Sequence, residues 1–179
     1  MIKRIHILGA SGSGTSTLAG ALEKKLGFRH FDTDNYYWLP SEPPYEKKRP
    51  VEDRIRMIVE DISGTDKWTL SGSLCGWGDV LIQHFELIVY LWIPMEIRIP
   101  RLIEREKKRY GKEAIEAGGE RHNAIKEFIE WASQYDSGGM DIRSRAMHNA
   151  WLASLKCPVL RLEGDLTVDE RVKAIKDLL

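Results

Sequence analysis

The sequence is poor in cysteine and has no paired metal-binding motif. Its two cysteines, Cys75 and Cys157, are far apart, and neither belongs to a CxxC pair. The five histidines show no spacing typical of metal ligands either. Neither a disulfide framework nor a zinc site is therefore expected, and we interpret both kinds of side chain as structural.

An excess of one charge is also absent. The chain has 27 Lys and Arg against 27 Asp and Glu, so its formal net charge is zero. Proteins that bind nucleic acid in bulk usually have a basic face and a basic isoelectric point. No nucleic-acid partner is therefore expected, although a local basic site is compatible with this balance.

Long hydrophobic runs are missing too. A membrane-spanning helix needs about 18 apolar residues, and no run in this sequence reaches that length. The apolar run at 5–8 is too short for a signal peptide and leads directly into glycines. We expect no membrane partner and a cytoplasmic location, while the sequence leaves the oligomeric state open.

Short apolar runs alternate with amphipathic segments along the 179 residues, which are 42% hydrophobic and 30% charged. The alternation predicts a parallel sheet covered by helices on both faces. Pro100 should kink or restart a helix, and the proline-rich segment 36–50 should be a loop. The predicted strands are 2–8, 28–31, 67–70, 87–93 and 157–162. The predicted helices are 17–26, 51–62, 95–110, 123–135, 142–155 and 167–178.

A glycine loop follows the first predicted strand and precedes the first predicted helix. Its glycines have the GxxxxG spacing of a phosphate-binding loop, whose backbone amides point at phosphate oxygens. Ser16 falls on the Ser/Thr position that offers a hydroxyl to magnesium, but Thr15 replaces the usual lysine. The candidate cofactor-binding residues are Gly9, Ala10, Ser11, Gly12, Ser13, Gly14, Thr15, Ser16 and Thr17.

This loop has two other interpretations. A plain tight turn does not need three glycines in six residues flanked by small hydroxyl residues. A dinucleotide-binding fingerprint would use Asp32 or Asp34 for a ribose, but it needs its last glycine three residues after the preceding one. Gly12 and Gly14 are only two apart, so the spacing favours the phosphate-binding loop.

With the rest of the chain, the sequence resembles the small P-loop kinases, which include adenylate kinase, other nucleoside monophosphate kinases, shikimate kinase and gluconate kinase. It looks most like the bacterial proteins labelled adenylate kinase-like or topology-modulation-like. The resemblance covers nearly the whole chain. It implies a P-loop NTPase three-layer α/β/α sandwich with a five-stranded parallel sheet, ATP, Mg²⁺ and a helical lid. Residues 1–179 would form one domain, with an acceptor-binding insertion at about 35–62 and a lid at about 101–145.

The second predicted strand ends in Asp32-Thr-Asp34, which resembles the DxD of shikimate and gluconate kinases. The resemblance implies that one carboxylate supports magnesium or acts as a base, while the other binds an acceptor hydroxyl. A helix cap or turn is the structural alternative. The third strand ends in Ser71 rather than a Walker B aspartate. We therefore expect Ser16 and Asp32 on the metal side and Asp34 on the acceptor side.

Further acceptor-binding residues are expected after the third strand and in the preceding aromatic and basic segment. Ser73, Trp77 and Asp79 should face the acceptor pocket. Trp77 could stack on a base or sugar, or could fill the core. Arg49 could clamp an acceptor phosphate, although for any single basic residue there the favoured explanation is a solvated charged loop and helix face.

The lid is expected to supply arginines. Arg101-Leu-Ile-Glu-Arg105 resembles the RLxxR of these kinases, and the two arginines share a helix face because they are four residues apart. Arg143 and Arg145 lie where the family often has arginines that close on the transferred phosphate. One of this second pair should make a structural ion pair.

These expectations combine into an ATP- and Mg²⁺-dependent phosphotransferase that acts on a small-molecule acceptor. The aromatic segment favours a nucleotide or nucleoside, whereas DxD and SGS suggest a sugar or acid. Since Thr15 carries no charge, an arginine from Arg101, Arg105, Arg143 or Arg145 should replace the lysine. The alternatives are a nucleotide-binding regulatory protein with weak or no kinase activity, and an NAD(P)-binding protein.

Overall fold

The computed structural model describes all 179 residues and contains one five-stranded sheet. Every neighbouring pair of strands is parallel, and the strand order is β2-β3-β1-β4-β5. The strands are β1 (Arg4–Gly9), β2 (Arg29–Asp32), β3 (Trp68–Ser71), β4 (Leu87–Trp92) and β5 (Val159–Glu163). The α/β fold class with a five-stranded parallel sheet is thereby confirmed.

Eight α-helices accompany the sheet. They are α1 (Thr15–Leu26), α2 (Thr33–Tyr37), α3 (Val51–Ser63), α4 (Met95–Tyr110), α5 (Lys112–Ile115), α6 (His122–Ser133), α7 (Arg145–Ala153) and α8 (Val168–Lys176). The short helices α2 and α5, and a 3-10 helix at Asp79–His84, are additions to the predicted elements. None of the helices is long and apolar enough to cross a membrane.

Helix α4 continues through Pro100 as one helix, so the predicted restart at this proline does not occur. The helix carries buried Leu102 and Glu106 beyond the proline. Packing of that face compensates for the backbone hydrogen bond that a proline cannot donate. Arg101 and Arg105, which we expect to belong to a lid, consequently lie on the same helix as buried Arg98.

The sheet has two apolar faces because side chains alternate along its strands. Ile5 and Ile7 of β1 pack with α1 and α8 on one face. Leu8 lies in the cluster on the other face, which also contains Ile58 of α3 and Trp151 of α7. The helices thus enclose the sheet on both sides, as a nearly continuous apolar β4 requires.

All five strands run in the same direction, so their carboxyl ends lie at one edge of the sheet. The glycine loop follows β1, Asp32 ends β2, and Gly72 and Ser73 follow β3. In open α/β sheets, ligands bind outside this edge. The topology therefore brings the glycine loop and the candidate carboxylates to one side of the molecule.

Candidate functional site

The glycine loop wraps the entrance to helix α1. Gly12 and Gly14 have φ angles of +82° and +88°, in the left-handed region that favours glycine. A Cβ on Gly12 would also lie 2.9 Å from the Arg98 carbonyl oxygen. Gly14 precedes the first turn of α1, whose amide groups have no partner inside the helix. This arrangement favours an anion at the start of the helix.

A cavity of about 940 Å³ opens over this loop. Eight of the nine predicted loop residues line it, and the exception is Ser13, which is fully buried. The other lining residues come from the carboxyl ends of β2, β3 and β5, from three helices, and from the loops that contain Tyr45 and Arg143. They include Asp32, Asp34, Ser73, Arg101, Arg105, Arg109, Arg143, Asp165, Leu166, Thr167 and Arg171.

Asp32 lies directly beside the start of α1. Its carboxylate accepts hydrogen bonds from Ser16 Oγ at 2.5 Å and from Ser71 Oγ at 3.0 Å. It also caps α2 by accepting the Asp34 backbone N–H at 3.0 Å. Asp32 therefore caps a helix, as the structural alternative expected, and also lies where a metal-side carboxylate was expected. Two oxygens of the kind that Mg²⁺ prefers lie together at the mouth of the loop.

Asp34 lines the cavity as a solvent-exposed residue. Partial desolvation of its carboxyl group and, secondly, the nearby Asp32 carboxylate raise its pKa. Arg143 and Arg105 oppose the shift and lower the pKa. A carboxylate with a raised pKa accepts a proton more readily than an ordinary aspartate, which suits a general base.

A second cavity of about 540 Å³ adjoins the first. The two share six lining residues: Ser11, Asp34, Tyr45, Arg105, Arg109 and Arg143. The second cavity is rich in aromatic and basic side chains. Its aromatic residues are Tyr37, Trp38, Tyr45, Tyr110, Phe128 and Trp131, and its additional basic residues are Lys48 and Arg121.

The arginines around the cavities differ in their partners. Arg101 pairs with Asp165 at 2.6 Å. Arg105 pairs with buried Glu106 at 2.6 Å. Arg143 has no carboxylate partner, and its guanidinium lies 5.4 Å from the centre of the Trp131 ring, where both cavities meet. Cation–π contact leaves the outer N–H groups of Arg143 available to an anion.

Besides Ser13, four predicted site residues lie outside both cavities. Arg49 donates to the backbone carbonyls of Tyr36 and Trp38 and stabilises the 36–50 segment. Arg145 stacks on Trp92 at 4.4 Å, with Glu163 within ion-pair distance at 4.0 Å. One of Arg143 and Arg145 was expected to make a structural ion pair, and Arg145 is the one with such a contact.

Trp77 and Asp79 also make contacts within the fold. The Trp77 indole donates to the Ser73 carbonyl at 3.1 Å and packs against the core cluster beside α3. Asp79 accepts from the Trp151 indole at 2.8 Å. Both side chains shape the turn after β3, and neither reaches a cavity wall.

Ser73 does line the larger cavity, and a chain of buried polar groups holds it there. Its hydroxyl lies 3.1 Å from His148 Nε2, and His148 Nδ1 lies 2.7 Å from the Tyr135 hydroxyl. The Tyr135 hydroxyl also contacts the Tyr90 hydroxyl at 2.9 Å. Burial, followed by Arg143 and His6, lowers the pKa of His148 to about 3, so the ring is neutral.

Comparison with known proteins defines the family. A protein-family model described as AAA domain matches residues 5–126, which contain the glycine loop, both aspartates and helix α4. The chain belongs to this family. Within it, the fold is that of the P-loop kinases.

Two curated proteins are similar to this P-loop kinase domain in sequence. The Bacillus subtilis (strain 168) protein named Uncharacterized protein YqaC is 52% identical over 179 residues, which cover 100% of this chain and 98% of the relative. A cytidylate kinase of Halobacterium salinarum is 29% identical over 115 residues, covering 58% of this chain and 59% of the relative.

Solved structures share the fold at low sequence identity. Shikimate kinase from Acinetobacter baumannii, in complex with shikimate, has a TM-score of 0.55 and 12% identity, covering 99% of this chain and 93% of that one. Deoxyadenosine kinase from M. mycoides, with bound dATP, has a TM-score of 0.57 and 13% identity, covering 98% of each chain.

Sequence reasoning missed two cavity arginines and one supporting carboxylate of this P-loop kinase domain. Arg171 and Arg109 line the larger cavity, and Glu106 lies 3% exposed between Arg105 and Arg109. The signal was present for two of them. Arg171 occupies the buried face of α8 with Val172, and Glu106 occupies the buried face of α4, so both are charges at apolar positions.

Proposed function

We propose that this protein is an ATP- and Mg²⁺-dependent phosphotransferase that moves the γ-phosphate to a nucleotide or nucleoside acceptor. The observation that carries the proposal is the junction of two unlike cavities. One is built over the glycine loop, the other is aromatic and basic, and Asp34, Arg105 and Arg143 line both. A donor phosphate and an acceptor hydroxyl would meet at these residues.

The donor side rests on the loop amides. The glycine loop and the first turn of α1 offer N–H groups to the ATP phosphates, and Thr17 adds a hydroxyl at the cavity wall. Arg101, Asp165 and Thr167 line the same cavity beyond the loop, where the nucleoside part of ATP would extend. Arg101 is held in place there by its ion pair with Asp165.

Ser16 and Asp32 fit a magnesium site, because their oxygens are already adjacent at 2.5 Å and belong to the ligand types that Mg²⁺ takes. Mg²⁺ held by Ser16 and Asp32 would supply positive charge that offsets the negative charge developing during transfer. Ser71 would orient the Asp32 carboxylate by donating its hydroxyl hydrogen.

Asp34 is the proposed base on the acceptor side. Its raised pKa favours proton uptake, and it lies where the two cavities adjoin. It would accept the proton of the acceptor hydroxyl as that oxygen bonds to the γ-phosphorus and the bond to ADP breaks. Arg105 and Arg143 would stabilise the charge on the transferred group.

The walls of the second cavity support the acceptor class. Phe128 and Trp131 lie with their ring planes 28° apart and centroids at 6.0 Å, and Trp38 and Tyr45 form an edge-to-face pair at 6.0 Å. Flat apolar walls suit a nucleobase. Arg109 and Arg121, which lie over Tyr110, suit an anionic group on the same acceptor.

Thr15 supports one alternative function, that of a nucleotide-binding regulator. Thr15 supplies no charge to the phosphates, which favours a nucleotide-binding regulator with weak or no transfer activity. The NAD(P) alternative lacks such support, because β3 lies between β1 and β2 here. In the dinucleotide-binding fold, the second strand is next to the first.

Binding and turnover separate these functions. Calorimetric titration with Mg·ATP and with NADH should give binding of ATP alone, and tight NADH binding without ATP binding would refute the kinase. ADP release should then be measured with nucleosides, nucleoside monophosphates, sugars and small hydroxy acids. We expect a nucleoside or nucleoside monophosphate to stimulate release. Stimulation by a sugar or acid alone would refute the acceptor class, and none at all would favour the regulator.

A further inference from the structure

Two buried arginines contact the glycine loop from outside, although the loop itself has no lysine. Arg98 is fully buried, donates to the Ser11 carbonyl at 3.3 Å and pairs with Asp136 at 2.9 Å. Arg171 is 4% exposed and donates to the Ser13 carbonyl at 2.8 Å. Arg98 is thus neutralised by a carboxylate, and the question is what balances Arg171.

Arg171 has no carboxylate within ion-pair distance. Its buried Nε also lacks a hydrogen-bond partner. Burying a charge without a partner is energetically costly, so such groups normally bind a counter-ion or a ligand. An arginine cannot escape this cost by losing its proton.

The guanidinium is placed against the phosphate-binding turn. Arg171 lines the larger cavity, and a Cβ built on Gly14 would lie only 3.3 Å from its Nη1. Gly14 immediately precedes Thr15, the position of the missing lysine. The charge of Arg171 therefore lies beside the residues whose amides would bind the donor phosphates.

The surroundings of Arg171 are electropositive. Its pKa is lowered by burial and next by the nearby guanidinium of Arg101, while Asp165 opposes the shift. Asp165 is already paired with Arg101 at 2.6 Å. Two cations and one carboxylate therefore converge on this end of the cavity, which leaves a net positive charge for an anion.

Resting on the proposed function, in which the donor is a nucleoside triphosphate, we propose that Arg171 supplies from helix α8 the positive charge that Thr15 does not supply to the donor phosphates. The lid arginines are less suited to this role. Arg101 and Arg105 are paired and exposed, and Arg143 lies at the acceptor side against Trp131.

The test is a double-mutant cycle in Mg·ATP affinity, measured by calorimetry on the full chain. Arg171→Gln keeps a donor for the Ser13 carbonyl but removes the charge, and should weaken ATP binding about tenfold or more. Thr15→Lys should restore most of that loss in the Arg171→Gln background and add much less to the wild type. Lys173→Gln is the matched control, because it removes an exposed charge from the same helix.

A purely structural role predicts different results. Arg171→Lys keeps the charge and should bind ATP within a few-fold of wild type, whereas a structural clamp would tolerate glutamine as well as lysine. Thermal unfolding of each variant establishes that it is folded. If Arg171→Gln unfolds, the comparison of wild type with Arg171→Lys, each with and without Thr15→Lys, provides the test. In both of these backgrounds the proposal requires that Thr15→Lys increases the affinity for Mg·ATP only a little, because position 171 still carries a positive charge.

The inference is overturned if folded Arg171→Gln binds ATP like wild type, or if Thr15→Lys strengthens binding equally with Arg171 present or replaced. In the comparison of wild type with Arg171→Lys, an increase in Mg·ATP affinity of tenfold or more on adding Thr15→Lys also overturns it. Because the cycle measures binding, a failure to find any acceptor would not affect it. Absence of ATP binding by the wild type would instead refute the proposed function, and this inference with it.

Discussion

Two aspartates separated by one residue have different surroundings, and this difference assigns their proposed roles. Asp32 receives hydrogen bonds from Ser16, Ser71 and the Asp34 backbone, so its carboxylate is fixed beside the start of α1. Asp34 projects into the cavity junction and has a raised pKa. The fixed carboxylate suits metal support, and the other suits proton transfer.

Asp34→Asn should reduce turnover about 100-fold or more while Mg·ATP affinity stays within a few-fold, because an amide cannot accept the proton. Steady-state ADP release and calorimetry measure the two effects. Asp66→Asn, an exposed change before β3, is the control. The acid limb of the wild-type pH profile should lie above the ordinary aspartate range, since only the deprotonated form acts and the pKa is raised. Wild-type turnover in Asp34→Asn would remove this residue from the mechanism.

At the scale of elements, helix α4 is the main source of cavity cations. Its buried Glu106 lies 2.6 Å from Arg105 and 3.5 Å from Arg109, and both arginines line the two cavities. A buried carboxylate that holds two cations restricts their rotamers before a ligand binds. The helix therefore presents its arginines in one arrangement, which reduces the ordering cost of binding.

Glu106→Gln should lower turnover about tenfold and raise the KM of the acceptor, because Arg105 and Arg109 lose the charge that orients them. The free energy of unfolding should fall by about 1–3 kcal/mol, less than for a fully buried pair because both arginines are partly exposed. Steady-state kinetics and denaturant unfolding measure these effects. The control is Glu104→Gln, which removes an exposed partner of Lys107. It should leave both the kinetics and the free energy of unfolding nearly unchanged. Equal effects of the two substitutions would contradict the orienting role.

At the scale of the whole molecule, one face of the sheet contains two neutral histidines. Burial lowers the pKa of His6 to about 4, partly offset by its hydrogen bond with the Leu70 carbonyl. His6 also stacks on Phe85 at 4.8 Å. The pKa of His148, within the polar chain behind Ser73, is lowered to about 3. Folding therefore keeps both rings deprotonated where an unfolded chain would protonate them.

The free energy of unfolding should consequently decrease as the pH falls from 6.5 towards 4. The unfolded state binds protons in this range and the folded state does not, so each histidine contributes a slope of about 1.4 kcal/mol per pH unit. Urea unfolding between pH 7.5 and 4.5 measures the slope. His148→Gln should remove roughly half of it, and His84→Gln, which leaves both buried rings in place, should keep it. An unchanged slope in His148→Gln would contradict a neutral buried His148.

The sequence was sufficient for the parallel sheet, the phosphate-binding loop and the edge where the site lies. Strand and helix periodicities are local, and loop spacing is local as well, so no distant contact is needed to recognise them. Arg49, Trp77, Asp79 and Arg145 illustrate the limit. Each lies in a suitable stretch of sequence, yet its side chain reaches a backbone carbonyl, a tryptophan or the core instead of a cavity.

The sequence by itself determined that a glycine loop begins α1 without its lysine, because that depends only on neighbouring residues. The tertiary structure alone decided which cation approaches the loop. Arg171 and the Ser13 carbonyl are 158 residues apart in the chain, and packing of α8 beside α1 brings them together. A charge at an apolar helix position is visible in sequence, but the group that it faces is fixed only by how the helices pack.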